Sequence, residues 1–139
     1  MASISQVDYK EFKKRFPLTC TKWDSVSVIE AQHLMDSLDQ FEIVNGEDQF
    51  LYNIGMTYYM RYAKWKSVVD LKKSIGYNQE GYDKFQGSGF AWQLAFLYER
   101  DGKCEEALKY AGIYAELSKE EGLEINYKQL YYIYRDCCN

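Results

Sequence analysis

The stretch FAWQLAFLYERDGKCEEALKYAGIYAEL, Phe90–Leu117, decides how this chain is read. Leu94, Ala95 and Tyr98 share one helical face, Asp101-Gly102 reverses the chain, and Ala107 and Ala111 follow on a second helix. Two helices joined by so short a turn pack against each other, and the small residues let them lie close. Trp92 and Phe96 fall on a different stripe of the first helix, one that such a pair ordinarily leaves polar. The stretch therefore carries aromatic residues on two faces and nothing that looks reactive.

Working outward, the periodicity is helical nearly throughout. Glycine and proline are sparse, at 9 and 1, and no run alternates strictly over a strand's length, so an all-α fold is expected. Asp8 caps a first helix with Tyr9, Phe12 and Phe16 on one side, stopped by Pro17. Asp24 or Ser25 starts a second, striped with Val28, Ala31, Leu34, Met35 and Leu38, which Asn45-Gly46 breaks. A third runs from about Glu47 to Tyr62 and a fourth from Lys64 to about Ile75, closed by Gly76. The segment GYNQEGYDKFQGSG, Gly76–Gly89, holds four of the nine glycines and reads as irregular. Later helices cover about Phe90–Arg100 and Cys104–Lys119, the latter ended by Gly122, and a last one starts from Asn126 as cap. This describes a single domain, 1–139, with N-terminal helices over 1–45, a hairpin over 47–76, a hairpin over 90–119 and a capping helix over 126–139. The segment 1–45 also reads as a degenerate first hairpin.

An internal register links these pieces. Leu51, Ile54, Gly55 and Tyr58 stand 40 residues before Ala91, Leu94, Ala95 and Tyr98, and Trp65 and Val68 stand 39 before Cys104 and Ala107. Tyr127, Leu130, Tyr131 and Tyr134 lie 36 residues beyond the second set. On these residues the chain, over roughly 48–139, resembles the tetratricopeptide repeat, W-x2-L-G-x2-Y followed by A-x3-F and a proline. The departures are that the large first position is Leu51, Ala91 or Tyr127, never Trp, and that no repeat ends in proline. The period is also nearer 40 than the family's ~34, an excess the segment 76–89 would absorb. The resemblance implies a short right-handed array of stacked antiparallel helical hairpins, about six or seven helices in all. Tyr131 in the glycine slot would block a following helix, making the last helix the cap that such arrays need.

The resemblance also implies a concave face lined by the first helix of each hairpin. The register puts Tyr52, Trp92 and Lys128 there, then Met56, Phe96 and Tyr132, then Tyr59, Glu99 and Arg135. Six of these nine are Tyr, Trp, Phe or Met, the residue types that carry interface energy, and they suit a partner's helix or extended segment. Glu99, Lys128 and Arg135 would set its orientation. Asn53 alone offers an amide near the place where relatives of this kind grip a chaperone's terminal carboxylate, so a chaperone-tail clamp is not expected. The face is otherwise covered by the chain itself, through the N-terminal helices or Tyr77, Tyr82 and Phe85, or by a second copy in a homodimer.

Composition narrows the function. The net charge is −4 with no basic block, which leaves no electrostatic footprint for nucleic acid. No run of ~18 apolar residues calls for membrane insertion. No leader is visible, so the chain reads as cytoplasmic as given, and as periplasmic or exported if a signal peptide has been removed ahead of Met1-Ala2-Ser3. Four cysteines are few for a disulfide framework, and Cys20, Cys104 and Cys137-Cys138 share no metal-ligand spacing. Cys137-Cys138 reads as a frayed, reactive tail and His33 as an ordinary helix residue, so no metal and no cofactor are expected. A Gly-rich phosphate loop, HExxH and G-x-S-x-G are all missing, so no catalytic residue is assigned and the chain is read as a non-enzyme. The expected function is a non-enzymatic protein-binding module of the adaptor or scaffold type. The alternative is a small immunity or antitoxin-type inhibitor that neutralises a toxin through Glu80, Asp83, Glu99, Glu105 and Glu106.

Overall fold

Seven α-helices dominate the chain in a computed structural model that describes residues 4–16 and 28–138. Strand β1 (Ser5–Asp8) leads into α1 (Tyr9–Arg15), and α2 (Val28–Asp36) continues as a 3-10 turn (Ser37–Gln40) into β2 (Phe41–Asn45). Then follow α3 (Glu47–Trp65), α4 (Val68–Phe85), α5 (Ser88–Arg100), α6 (Cys104–Glu121) and α7 (Tyr127–Cys137). Caps read from the sequence are present: the Asp8 carboxylate accepts the Glu11 N–H at 2.8 Å, and the Asn126 side chain accepts that of Gln129 at 3.2 Å.

Short turns force each helix to run back along the one before it, and the side-chain pairs trace this out. Glu47 meets Lys84 at 2.6 Å at one end of α3–α4, and Arg61 meets Asp70 at 3.4 Å at the other. Between α4 and α5, Asn78 donates to Gln93 at 3.2 Å and Lys72 pairs with Asp101 at 2.6 Å. Ser88 binds Glu121 at the open end of α5–α6, and the rings of Tyr98 and Tyr110 stack at 5.8 Å near the turn. Helix α7 lies back on α6, its N-terminal Asn126 N–H donated to the Tyr114 hydroxyl at 2.9 Å and its end joined by a disulfide between Cys104 and Cys137. As a result α3 and α5 run side by side in the same direction, Tyr52 against Phe90 at 5.9 Å and Tyr59 against Phe96 at 5.1 Å.

Two apolar clusters result. Leu71, Leu94, Ala95, Leu97, Ala107, Ala111, Leu130 and Ile133 form one, across α4 to α7. The other joins the N-terminal segment to α3, with Phe12 and Phe16 fully buried against Met35, Ile54 and Tyr58. The closeness of the helices depends on two glycines. A Cβ at Gly55 would lie 2.6 Å from the Asn78 amide nitrogen, and one at Gly81 would lie 2.2 Å from the Phe90 ring.

Several sequence expectations are corrected. The fold is mostly but not wholly α, because Ser5–Asp8 and Phe41–Asn45 pair as a parallel two-stranded sheet with Val7 opposite Ile43. The second helix therefore ends at Asp36, not at Asn45-Gly46, and Ile43 and Val44 satisfy their backbone in a strand. Gly76 does not close α4: the helix continues to Phe85, and the turn is Gln86-Gly87. The segment 76–89 is thus helical for most of its length, since Asn78 and Gly81 are buried along its inner face. Lys64 lies inside α3, and α4 begins at Val68. Val68 is 59 % exposed and does not take the small inward position, which Ser74 fills by donating to the Gly55 carbonyl at 2.7 Å. In α7 only Leu130 of the expected set is buried, joined by Ile133, while Tyr127, Tyr131 and Tyr134 face water. Tyr131 therefore blocks nothing within the core. The stop at Pro17, the start at Asp24 or Ser25, and Cys20 lie outside the described residues.

A buried polar seam ties the N-terminal segment to α3 and α4. Arg61 donates to Gln32 Oε1 at 3.0 Å and to the Ala31 carbonyl at 3.4 Å besides pairing with Asp70. Burial raises the Asp70 carboxyl above the ordinary range, and the Arg61 guanidinium partly offsets this. Burial likewise pushes the neighbouring Tyr58 hydroxyl up to about 12, helped by Tyr77.

Two outcomes are expected. Gly81→Ala should destabilise by about 1–3 kcal/mol because the methyl group meets the Phe90 ring. Gly76→Ala, an exposed helical position with nothing within 4 Å, should instead stabilise by up to about 1 kcal/mol. Urea midpoints moving in the same direction for both variants would contradict this packing. The second outcome concerns alkaline pH. An acid whose pKa is higher folded than unfolded keeps its proton longer in the folded state, so stability is present below pH ~10 and is lost as pH rises toward about 12. Tyr58→Phe should flatten that part of the stability–pH curve, measured by urea unfolding between pH 9 and 12 (roughly the range set by these values).

Candidate functional site

Because α4 and α6 hold α3 and α5 from one side, a second face of α3 and α5 is left outward. The 40-residue register sets it. Leu51, Ile54, Gly55 and Thr57 are buried as Ala91, Leu94, Ala95 and Leu97 are, while Tyr52, Met56 and Tyr59 are half-buried as Trp92, Phe96 and Glu99 are. Met56 and Tyr59 of α3 and Trp92 and Phe96 of α5 converge on one cavity of about 290 Å³, completed by Arg100, Asn126 and Gln129. The rings are mutually supported. Phe96 meets Tyr59 at 5.1 Å and Trp92 at 6.2 Å, and Trp92 lies 4.6 Å from Tyr114 of α6. The Arg100 guanidinium sits over the Phe96 ring at 5.2 Å and the Tyr59 ring at 5.6 Å.

Further along α3 towards its N-terminus, Tyr52 and Asn53 line another cavity of about 370 Å³ with Asp48, Phe90 and the Gln86–Gly89 turn. The Asn53 amide is engaged within its own helix, donating to the Gln49 carbonyl at 2.8 Å. Here the first N–H of α5 is already taken, because the Glu121 carboxylate accepts both the Ser88 N–H and its hydroxyl at 3.0 Å.

The remaining sequence-predicted residues sit apart from both cavities. Glu99 is half-buried; burial raises its carboxyl first, the Asp136 charge adds to this, and Arg100 and Arg135 oppose it. Arg135 pairs with Asp136 at 2.9 Å and lies over the Tyr132 ring at 4.9 Å. Lys128 is exposed. Arg100, Asn126 and Gln129 were missed. Arg100 continues the stripe one turn beyond Phe96 and was there to be found. The two amides depended on the orientation of α7, which the tyrosines disguised.

Among the described residues the N-terminal segment packs on the Ile54–Tyr58 side of α3, not over Trp92 and Phe96. Among them, too, no three His, Cys, Asp or Glu side chains gather at a metal-binding spacing, and no helix is long and apolar enough to cross a membrane. No protein-family model, curated protein or solved structure matches the chain.

The geometry makes Tyr114 the support of the cavity's α7 wall. Tyr114→Phe should remove the hydrogen bond to Asn126, costing about 1 kcal/mol of stability and speeding amide exchange at Asn126. Unchanged exchange at that amide would show that the wall is held elsewhere.

Proposed function

We propose that this chain is a non-enzymatic protein-binding module whose helical pairs stack in the manner of tetratricopeptide repeats. In this reading the aromatic face of α3 and α5 receives a helix or extended segment of a partner protein. One observation carries the reading: Met56, Tyr59, Trp92 and Phe96 come from two helices 40 residues apart in register and meet around one open cavity. The packing of α5 on α4 and α6 is already served by its Leu94–Tyr98 side. A surface of preorganised aromatic rings with an arginine on its rim has the composition of binding hot spots. Tyr52 extends it toward the second cavity, and in this reading Glu99, Lys128, Tyr132 and Arg135 would orient the partner from outside both cavities.

The acidic-inhibitor reading draws less support. Glu80 pairs with Lys84 at 3.1 Å, Asp83 accepts a hydrogen bond from Gln79, and Glu99 is half-buried, so the five carboxylates do not form one free acidic patch.

The test is capture from native extract by wild-type protein, Trp92→Ala and Phe96→Ala in parallel, with melting curves for each. A protein retained by the wild type should be lost, or bound at least tenfold more weakly, by both variants while their folding stays intact. Its affinity should change little between low and physiological salt, as an aromatic contact requires. Equal retention by all three proteins, or a steep loss with salt, would overturn the reading.

A further inference from the structure

We propose that the Cys104–Cys137 disulfide is a redox latch that decides whether α7 is docked, and with it whether the aromatic cavity has its third wall. The cavity is built from α3, α5 and α7, with Gln129 contributed by α7 and Asn126 by its N-cap. Helix α7 is weakly held for its length. It spans 11 residues, fully buries Leu130 and Ile133, and turns Tyr127, Tyr131 and Tyr134 to water at 68, 62 and 41 % exposure. Helices of this length are marginal on their own, and two aliphatic side chains fall short of offsetting the ordering of eleven residues. What remains is one anchor at each end: the Asn126 N–H on the Tyr114 hydroxyl, and the disulfide. The disulfide joins the first residue of α6 to the last residue of α7, with a Cα–Cα distance of 5.2 Å, and so fixes the end of α7 away from the Asn126 anchor. Residues 123–126 between α6 and α7 have no regular structure; Leu123 is 55 % exposed while Ile125 packs against the core, so release of α7 would lift Ile125 with it. By contrast α3 to α6 hold one another through Gly55, Ser74, Asn78 and Gln93, none of which involves α7, and through the Leu71–Leu97–Ala107 core, to which α7 adds Leu130 and Ile133.

Both bonded cysteines are only partly buried, so a dithiol reductant can reach them. One of its thiolates attacks a sulfur of the bridge and the other cysteine leaves as thiolate. The reductant's second thiol then resolves the mixed disulfide. Two electrons pass to the cysteines, each cysteine sulfur gains a proton, and the reductant becomes a cyclic disulfide. The released α7 would uncover the surface that Leu130 and Ile133 had covered and remove Asn126 and Gln129 from the cavity. Only the consequence for a partner rests on the protein-binding reading; the latch itself does not.

The experiment is hydrogen exchange read by mass spectrometry on the whole chain, oxidised and after dithiothreitol, with alkylation mapping of the cysteines. Cys138, exposed and free, serves as the alkylation control in both states. Oxidised protein should leave Cys104 and Cys137 unalkylated, and reduction should expose both. On reduction, amides of residues 127–137 should lose protection at least tenfold while those of α3 to α6 keep theirs. Cys104→Ser/Cys137→Ser without reductant should match reduced wild type and no longer respond to dithiothreitol. Unchanged protection of α7 once both cysteines are alkylated would overturn the latch. So would a joint loss of protection across α3 to α7, which would make the bond a staple of the entire fold, or alkylation of Cys104 and Cys137 in the oxidised protein. None of these readouts requires a partner, so a failure of the latch and a failure of the binding face remain distinguishable.

Discussion

Helix α4 touches α3 at Gly55 and α5 at Gly81, and at both places there is no room for one more methyl group. The space a side chain would take is filled from the neighbouring helix, by the Asn78 amide in one case and the Phe90 ring in the other. Most of the polar atoms brought into so tight a seam find partners there. Ser74 donates to the Gly55 carbonyl, and Asn78 donates to the Ser74 carbonyl and to Gln93 across the next helix. Apolar packing fixes how near the helices lie, and this ladder of short polar side chains fixes their axial register, since a slide of one turn would strand each buried amide.

Everything on the other side of α3 and α5 follows from that seam. With their inner stripes committed to α4 and α6, these helices present a second stripe outward, and the shared register brings Tyr59 to Phe96 and Tyr52 to Phe90. The rings are positioned by backbone geometry set elsewhere and by contact with one another. A surface of that kind loses little side-chain freedom when it is covered, which is what makes preorganised aromatic faces efficient at recognition.

What could be read from the sequence was what local pattern decides. The α5 stripe, the Asp101-Gly102 turn, the caps at Asp8 and Asn126 and the inward-outward alternation between Leu94 and Phe96 need only neighbours within a turn or two. Gly76 misled because a glycine after an apolar run signals a stop, yet here Asn78 and Gly81 a turn later are buried and carry α4 onward. The strands were hidden because Ser5–Asp8 is four residues long and its partner lies 36 residues away. In α7 the 36-residue offset favoured the stripe of Tyr127, Leu130, Tyr131 and Tyr134, while burial followed Leu130 and Ile133, the aliphatic pair three apart. The disulfide escaped for the same reason as the sheet: the choice of Cys137 rather than its neighbour depends on which way α7 faces. On the candidate face, Met56, Tyr59, Trp92 and Phe96 were legible and Gln129 was not, along that same division between local and distant information.

The burial of Phe12 and Phe16 bears on how the molecule can be divided. Chains built from successive helical pairs invite the idea that any run of pairs is a free-standing piece. Here the outer side of α3 is apolar, with Phe50, Ile54, Tyr58 and Trp65, and apart from Tyr77 of α4 the residues that cover it come from the segment before position 46. A fragment beginning at Glu47 would carry both helical pairs intact and yet offer that side to water. The smallest self-sufficient unit thus includes the strand and helix at the N-terminus, which serve as the end plate against which the first pair is built.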